Sequence, residues 1–277
     1  MTYTPKIGPR LKSIIEQRQA DVDKSKSKKS AGQLTGAIGE FAMTRGFMGH
    51  LFEYYEKNKK PGVIADIRGA SPLSKTTRSR VDVMELAEDF RDAGAACISA
   101  SPDRRFFRGS IADLATCKAA NLPIMSNDVV VDQYQVLETR YAGADCALLI
   151  VGILGEDTIE YAARAMSVAL DVLVEVRNEE ELEIALRSGS SLIGVNNRDL
   201  ETMELDMSIC DRLLPLIPTD RALAVAEGGI KTLADIEHMA KLGAKAVRVA
   251  TVLMEAGDPY DALHTLLGTI PPEDLED

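Results

Sequence analysis

Positive charge is scarce in this chain. Thirty-two Lys and Arg face 43 Asp and Glu over 277 residues, a formal net charge of −11. That balance excludes nucleic acid and anionic membrane surfaces as main partners. One basic run departs from it: KSKSKKS at 24–30, whose four Lys and three Ser are expected to form a mobile solvated loop. Cysteine is sparse too. Cys97, Cys117, Cys146 and Cys210 lie far apart with no CxxC or Cys/His cluster, which excludes a disulfide framework and a zinc site and fits reduced thiols in a cytosol-like compartment. His50, His238 and His264 each fall in a helix-like stretch and are expected at the surface or in packing, so no metal is expected. No N-terminal apolar segment and no twenty-residue apolar run occurs, so neither export nor membrane spanning is expected, and the location implied is cytoplasmic. A Ser-His-Asp set, a Walker loop and HExxH are missing as well, which leaves acid–base work to carboxylates and cations.

What is present is repetition. From residue 62 onward, short β-rich runs alternate with helical patterns: GVIADI (62–67), AACISA (95–100), LPIMS (122–126), CALLIV (146–151), DVLVEV (171–176), SLIGVN (191–196), ALAVAE (222–227) and KAVRVA (245–250). Near-continuous hydrophobicity is what parallel strands covered by helices require. Between them, Asp82 is placed to cap a helix with the stripe Val83, Leu86, Ala87 and Phe90, and Asn178 one with the stripe Leu182, Ala185 and Leu186. Four helices end in a glycine just before the next strand, in DAGAACI, YAGADCA, RSGSSLI and KLGAKAV. Eight such units make one (β/α)8 TIM barrel of the α/β class over residues 62–277. A doubly wound open sheet is the alternative, but eight regular units without a Gly-rich dinucleotide fingerprint favour closure. Residues 1–61 read as an N-terminal helical extension packed on the barrel: a helix near 8–22, the basic loop, and a helical region around 35–58.

In such a barrel chemistry sits where strands end. The polar residues there are Asp66 and Arg68, Asn127 and Asp128, Glu175, Asn196 and Arg198, and Glu227. Asp66 and Arg68 are two apart, so on a strand they share a face. Burying so many polar groups costs several kcal/mol unless they are paired or functional, so the set reads as a site, with structural ion pairs as the alternative. Carboxylates and cations alone suit proton transfer with electrostatic stabilisation, or an anionic substrate beside Arg68.

The order IADIRGASP, FFRGS (106–110), LLIV (148–151), VLVEV (172–176), GVNNRDL (194–200) and VAEGGI (225–230) resembles the indole-3-glycerol-phosphate synthase family from about residue 60 to 265. The resemblance implies a barrel without metal or organic cofactor, closing an indole ring on a phosphorylated anthranilate derivative with loss of carbon dioxide and water. It implies that Ser71, Phe107, Arg198, Glu227, Gly228, Gly229 and Thr251 bind substrate. The pattern also departs from the family. Glu-x-Lys and Ser-Pro-Ser of the first strand are here Asp66, Arg68, Ser71, Pro72 and Leu73. The acid lysine of strand three aligns with Asn127, which supplies no proton. At the phosphate end, Gly228-Gly229 and Ala250-Thr251 replace Ser-Gly and Gly-Ser.

These departures resemble one branch, the cyclase of scytonemin biosynthesis, which joins an indole to the ketone of a β-keto acid with loss of carbon dioxide. The implied function is a decarboxylative ring closure on a phosphate-free aromatic carboxylate, by a monomer or homodimer. Arg68 would hold the carboxylate or polarise the ketone, and Asp66 would orient Arg68 or share proton transfer. Glu175, its pKa raised by its apolar strand, would act as acid and then base. Asn127 and Asn196 would donate to the developing oxyanion. The alternatives are the synthase of tryptophan biosynthesis itself and an inactive barrel kept as a binding partner.

Overall fold

The computed structural model describes residues 3–41, 43–71 and 81–269. Eight parallel strands close into a barrel in sequence order: β1 (Gly62–Ile67), β2 (Cys97–Ala100), β3 (Ile124–Ser126), β4 (Cys146–Ile150), β5 (Asp171–Val176), β6 (Leu192–Asn196), β7 (Leu223–Glu227) and β8 (Ala246–Val249). β1 pairs with β8, Gly62 opposite Ala246, and so removes the last sheet edge. Each of the eight sequence runs thus becomes a strand. The helices that matter below are α1 (Pro9–Lys28), α2 (Ala31–Ile38), α3 (Phe47–Asn58), α4 (Val83–Asp92), α5 (Ile111–Thr116), α6 (Gln133–Tyr141), α7 (Val151–Leu154), α8 (Thr158–Met166), α9 (Glu179–Arg187), α10 (Ser208–Leu213), α11 (Leu233–Lys241), α12 (Thr251–Glu255) and α13 (Pro259–Leu267).

Local chemistry ends these elements as the sequence implies. The Asp82 side chain accepts from the amides of Met84 and Glu85, and Asn178 accepts from Glu181. The four glycines before strands, Gly94, Gly143, Gly189 and Gly243, all take positive φ. The period-2 rule then sorts each strand. Val63, Ala65, Ile98, Val172, Val174 and Val247 face the helix layer, whereas Ile64, Cys97, Met125, Cys146, Leu148, Leu173, Val225 and Ala246 form an apolar plug inside the barrel. All four cysteines are free and buried. In the plug, burial pushes the Cys97 and Cys146 thiols well up, so they stay protonated and inert.

The N-terminal region differs from the expected pattern. The basic run is not a free loop: α1 continues to Lys28, and Ser30 opens α2 as a capping box with Gln33. Two of its four lysines have partners that the local sequence does not reveal. Lys26 pairs with Asp132, and Lys29 donates to the Tyr141 hydroxyl and lies 3.9 Å from its ring centre. The single helical region of 35–58 is instead two helices, α2 ending at Ile38 and α3 beginning at Phe47; Gly46 turns the chain at φ 67 and Asp145 takes the Arg45 amide. The buried stripe of α1 is Leu11, Ile14, Arg18 and Val22. Leu11 and Ile14 join the cluster of the barrel plug, and Val22 packs with Leu34, Ile38, Tyr134 and Leu137. The three helices before β1 therefore lie against the barrel, with α1 at the C-terminal ends of its strands. Histidines 50, 238 and 264 sit on α3, α11 and α13. Among the described residues no helix is long and apolar enough to cross a membrane, and no cluster of His, Cys, Asp and Glu could hold a metal ion.

Candidate active site

Above the apolar plug the inward positions turn polar. One step further along the same faces stand Asp66, Ser99, Asn127, Glu175, Asn196, Glu227 and Arg248. Of these, Asp66, Asn127, Glu175, Asn196 and Arg248 form the floor of a cavity of about 300 Å³ at the C-terminal mouth. Arg10, Leu11 and Ile14 of α1 cover one side, and Leu200, Met203 and Leu205 of the loop after β6 cover another. Gly8 ties these two walls together, its amide donating to the Leu200 carbonyl at 3.1 Å.

The cavity brings together Asp66, Arg68, Ser71, Phe107, Asn127, Glu175, Asn196, Arg198, Gly228, Gly229 and Thr251, eleven of the twelve residues singled out from the sequence. Glu227 is the exception. It is fully buried behind Arg248 and does not line the cavity. Pro72 and Leu73 of the first motif lie outside the described residues.

Two hydrogen-bonded centres divide the floor. The first is Asp66, buried, whose Oδ1 accepts from the Ser99 hydroxyl and from Asn127 Nδ2 at 2.9 Å. Arg68 Nε stands 3.8 Å from Asp66 Oδ2, and Arg68 Nη2 donates to Thr251 Oγ1 at 3.2 Å. The second is a row of alternating charge. Arg177 pairs with Glu175 Oε1, and Arg248 Nη2 reaches Glu175 Oε2 at 3.1 Å. Arg248 also clamps Glu227 Oε2 through Nη2 and through Nε, the latter at 2.7 Å. Asn196 Nδ2 donates to Glu175 Oε2 at 2.9 Å. Arg177 is held from behind: its amide donates to Glu181 Oε2 at 2.8 Å, and Tyr3 donates its hydroxyl to Glu181 Oε1 at 2.5 Å.

This arrangement corrects the expected acid. Burial alone would raise Glu175, but Arg177 and Arg248 outweigh it and hold its carboxyl below the usual range. The raised carboxyl is Glu227, which burial and the neighbouring Glu175 push up against the pull of Arg248. The two acids form one coupled pair, with the proton kept on the Glu227 side. The expected oxyanion amides are placed differently too. Asn127 and Asn196 each direct an N–H to a buried carboxylate, a stronger acceptor than a neutral oxygen.

Sequence reasoning missed Arg177, Arg248 and the role of Arg18. The first two were within reach. Arg177 lies two residues after Glu175, and Arg248 interrupts the apolar run KAVRVA, so the rule that pairs Asp66 with Arg68 turns both inward. Arg18 is a helix residue whose partner is 110 positions away: its Nη2 bonds Asp128 Oδ2 at 2.7 Å, and both are buried. The lining carries Arg10, Arg68, Arg177, Arg198, Lys231 and Arg248 against Asp66, Asp128 and Glu175. A chain of net charge −11 therefore has a cationic cavity, fit for an anionic ligand.

A family model described as indole-3-glycerol phosphate synthase matches residues 11–266. The chain belongs to the indole-3-glycerol phosphate synthase family. It is 38% identical over 261 residues to an indole-3-glycerol phosphate synthase of Polaromonas sp. strain JS666, covering 93% of this chain and 98% of that protein. It is 36% identical over 246 residues to one from Caldanaerobacter subterraneus subsp. tengcongensis, covering 88% and 93%. Among solved structures, a thiamine phosphate pyrophosphorylase from Pyrococcus furiosus superposes with a TM-score of 0.56 at 16% identity, covering 77% of this chain and 96% of that one, a likeness of fold alone. The chain is thus a member of a ring-closing carboxy-lyase family. Gly228 takes φ +80, and a Cβ added there would sit 2.6 Å from Asn196 Oδ1. A side chain at Gly229 would meet Met207 Sδ at 2.6 Å, and Leu205 lies 3.5–3.6 Å from both positions. Three side chains of the β6 loop and strand end thus occupy the space beside this turn.

Proposed function

We propose that the cavity closes a ring by decarboxylative attack of an electron-rich aromatic ring on a carbonyl, in an indole-bearing β-keto acid without a phosphate, as in scytonemin-type tricyclic ketone formation. The observation that carries this reading is the Asn127–Asp66 bond of 2.9 Å. An amide bound to a carboxylate stands where the family pattern has its acid lysine, so proton donation there is lost. The apolar cover of Leu205 beside Gly228 and Gly229 supports the same direction. In this reading Arg68 and Arg198 attract the substrate carboxylate. Glu175, held ionised, faces the positive charge that develops on the ring nitrogen as the ring attacks. Phe107 and Leu148 supply apolar wall for the aromatic system.

A second reading, the indole-3-glycerol phosphate synthase reaction itself, is favoured by the comparisons, whose nearly full-length relatives at 36–38% identity carry that name. The cationic lining would suit its phosphate and carboxylate. Carbon dioxide release from the phosphorylated arylamine and from the indole-bearing β-keto acid, each with product identification, separates the two. Turnover of the arylamine to indoleglycerol phosphate with no product from the keto acid would overturn the first reading.

A further inference from the structure

Arg248 occupies an inward position of β8 directly above Ala246, opposite Ile64 of β1 and Glu227 of β7. An apolar side chain would fill it without desolvating an ion. A buried ion pair is often no more stabilising than a well-packed apolar replacement, so packing gives no reason for a guanidinium held between the Glu175 carboxylate and the Glu227 carboxyl. Its geometry suggests one. Nε and Nη2 are occupied by Glu227 and Glu175. Nη1 makes no hydrogen bond among the described residues and is not among their sealed, unpartnered atoms, while the side chain lines the cavity and keeps 13% of its surface exposed. One edge of the cation is fixed and the other is open.

We propose that Arg248 is a catalytic residue whose open edge holds the oxygen of the carbonyl that the aromatic ring attacks, a role that rests on the ring-closure reading above. As the ring carbon–carbonyl carbon bond forms, the C=O π pair moves onto oxygen and positive charge appears on the ring nitrogen. Arg248 and Glu175, 3.1 Å apart, present the two opposite charges side by side. The alkoxide takes a proton from solvent, and the attacking ring carbon gives its own proton to solvent and so restores the aromatic ring. In a separate step carbon dioxide leaves as its C–C electron pair becomes a ring double bond and the new hydroxyl departs as water. Arg248 stays charged throughout. A neutral carbonyl suits this edge better than a carboxylate, because an anion here would meet Glu175. The interaction grows as charge develops, which is the condition for lowering a barrier rather than tightening binding. Two other donors on the floor are partly engaged: Asn127 gives an N–H to Asp66, and Arg68 gives one to Thr251.

The test uses 3-acetylindole labelled with carbon-13 at the carbonyl, bound at saturating concentration and read by difference infrared spectroscopy. The carbonyl stretch is expected at lower frequency in the wild type than in Arg248→Met, with Arg248→Lys between them. Arg248→Met combined with Glu227→Gln, which removes the buried acid left without its partner, is expected to behave like Arg248→Met and covers the case in which the single variant does not fold. Equal stretches in wild type and either Met variant, or a ketone that does not bind the wild type, overturn the proposal. With whichever substrate is turned over, Arg248→Met is expected to lower kcat about 10²–10³-fold with little change in KM. A raised KM at unchanged kcat overturns it as well. If neither substrate is turned over the ring-closure reading falls, and the infrared shift still decides what Arg248 touches.

Discussion

Gly194 is where the barrel makes room for its buried acid. A Cβ added there would sit 2.1 Å from Glu227 Oε1 and 3.2 Å from its Cδ. Glu227 is not a free end that swings away, because Arg248 grips its other oxygen through two nitrogens. Gly194→Ala therefore forces the carboxylate, and with it the guanidinium, to move by roughly 1 Å. Overpacking of this kind costs about 1–3 kcal/mol. In a chain of this size each kcal/mol lowers Tm by roughly 2–4 °C, so a loss of about 4–8 °C is the central expectation. Activity is expected to suffer more than stability, since a misplacement of about 1 Å at a reacting centre can cost about 100-fold. Calorimetry and steady-state kinetics on one preparation measure both. Adding Glu227→Asp, one methylene shorter, is expected to recover most of the Tm. A Gly194→Ala protein with Tm within about 1 °C of the parent and unchanged kcat would refute the claim that Glu227 and Arg248 form a rigid unit.

The coupled acids give stability a pH dependence. Glu227 keeps its proton in the folded state after the unfolded chain has lost it at ~4.3, so stability falls as pH rises through its raised pKa. Glu175, depressed, gives the opposite limb, with stability above the ordinary carboxylate range that is lost on acidification. Glu227→Gln is expected to flatten the alkaline fall in Tm while leaving the acid limb, and an unchanged alkaline slope would contradict the assignment. Arg18→Met leaves Asp128 buried with only Gln135 as a side-chain donor and is expected to cost about 3–5 kcal/mol, read by denaturant titration. A loss below about 1 kcal/mol would mean that the pair is not sealed. Asn127→Lys restores a proton donor beside Asp66 and is expected to raise carbon dioxide release from the phosphorylated arylamine about tenfold or more. No rise would show that the phosphate end, not the missing acid, limits that substrate.

The barrel was legible because every strand is apolar on both faces and its caps and helix-closing glycines are local signals. Asp82, Asn178 and Gly94 act through neighbours within four residues. The positions of the site were legible for the same reason, since strand order and side-chain period place Asp66, Asn127, Glu175 and Asn196 in one ring. Charge states were not. Whether Glu175 or Glu227 holds the proton depends on Arg177 and Arg248, and the Arg248 contact spans 73 positions. Lys26 and Lys29 of the basic run misled for a related reason: Asp132, which caps α6, and Tyr141 at its end, which hold them, are more than a hundred residues away. Period and capping are properties of a segment, whereas a pKa belongs to everything packed around the group.

The most direct measurement of the central claim is the ratio of kcat/KM for the indole-bearing β-keto acid to that for the phosphorylated arylamine, determined on one enzyme preparation by carbon dioxide release. A site without the acid lysine and with Leu205 packed beside Gly228 and Gly229 is expected to give a ratio well above one. A ratio well below one, with indoleglycerol phosphate as product, would contradict it and make the chain an indole-3-glycerol phosphate synthase with an unusual acid.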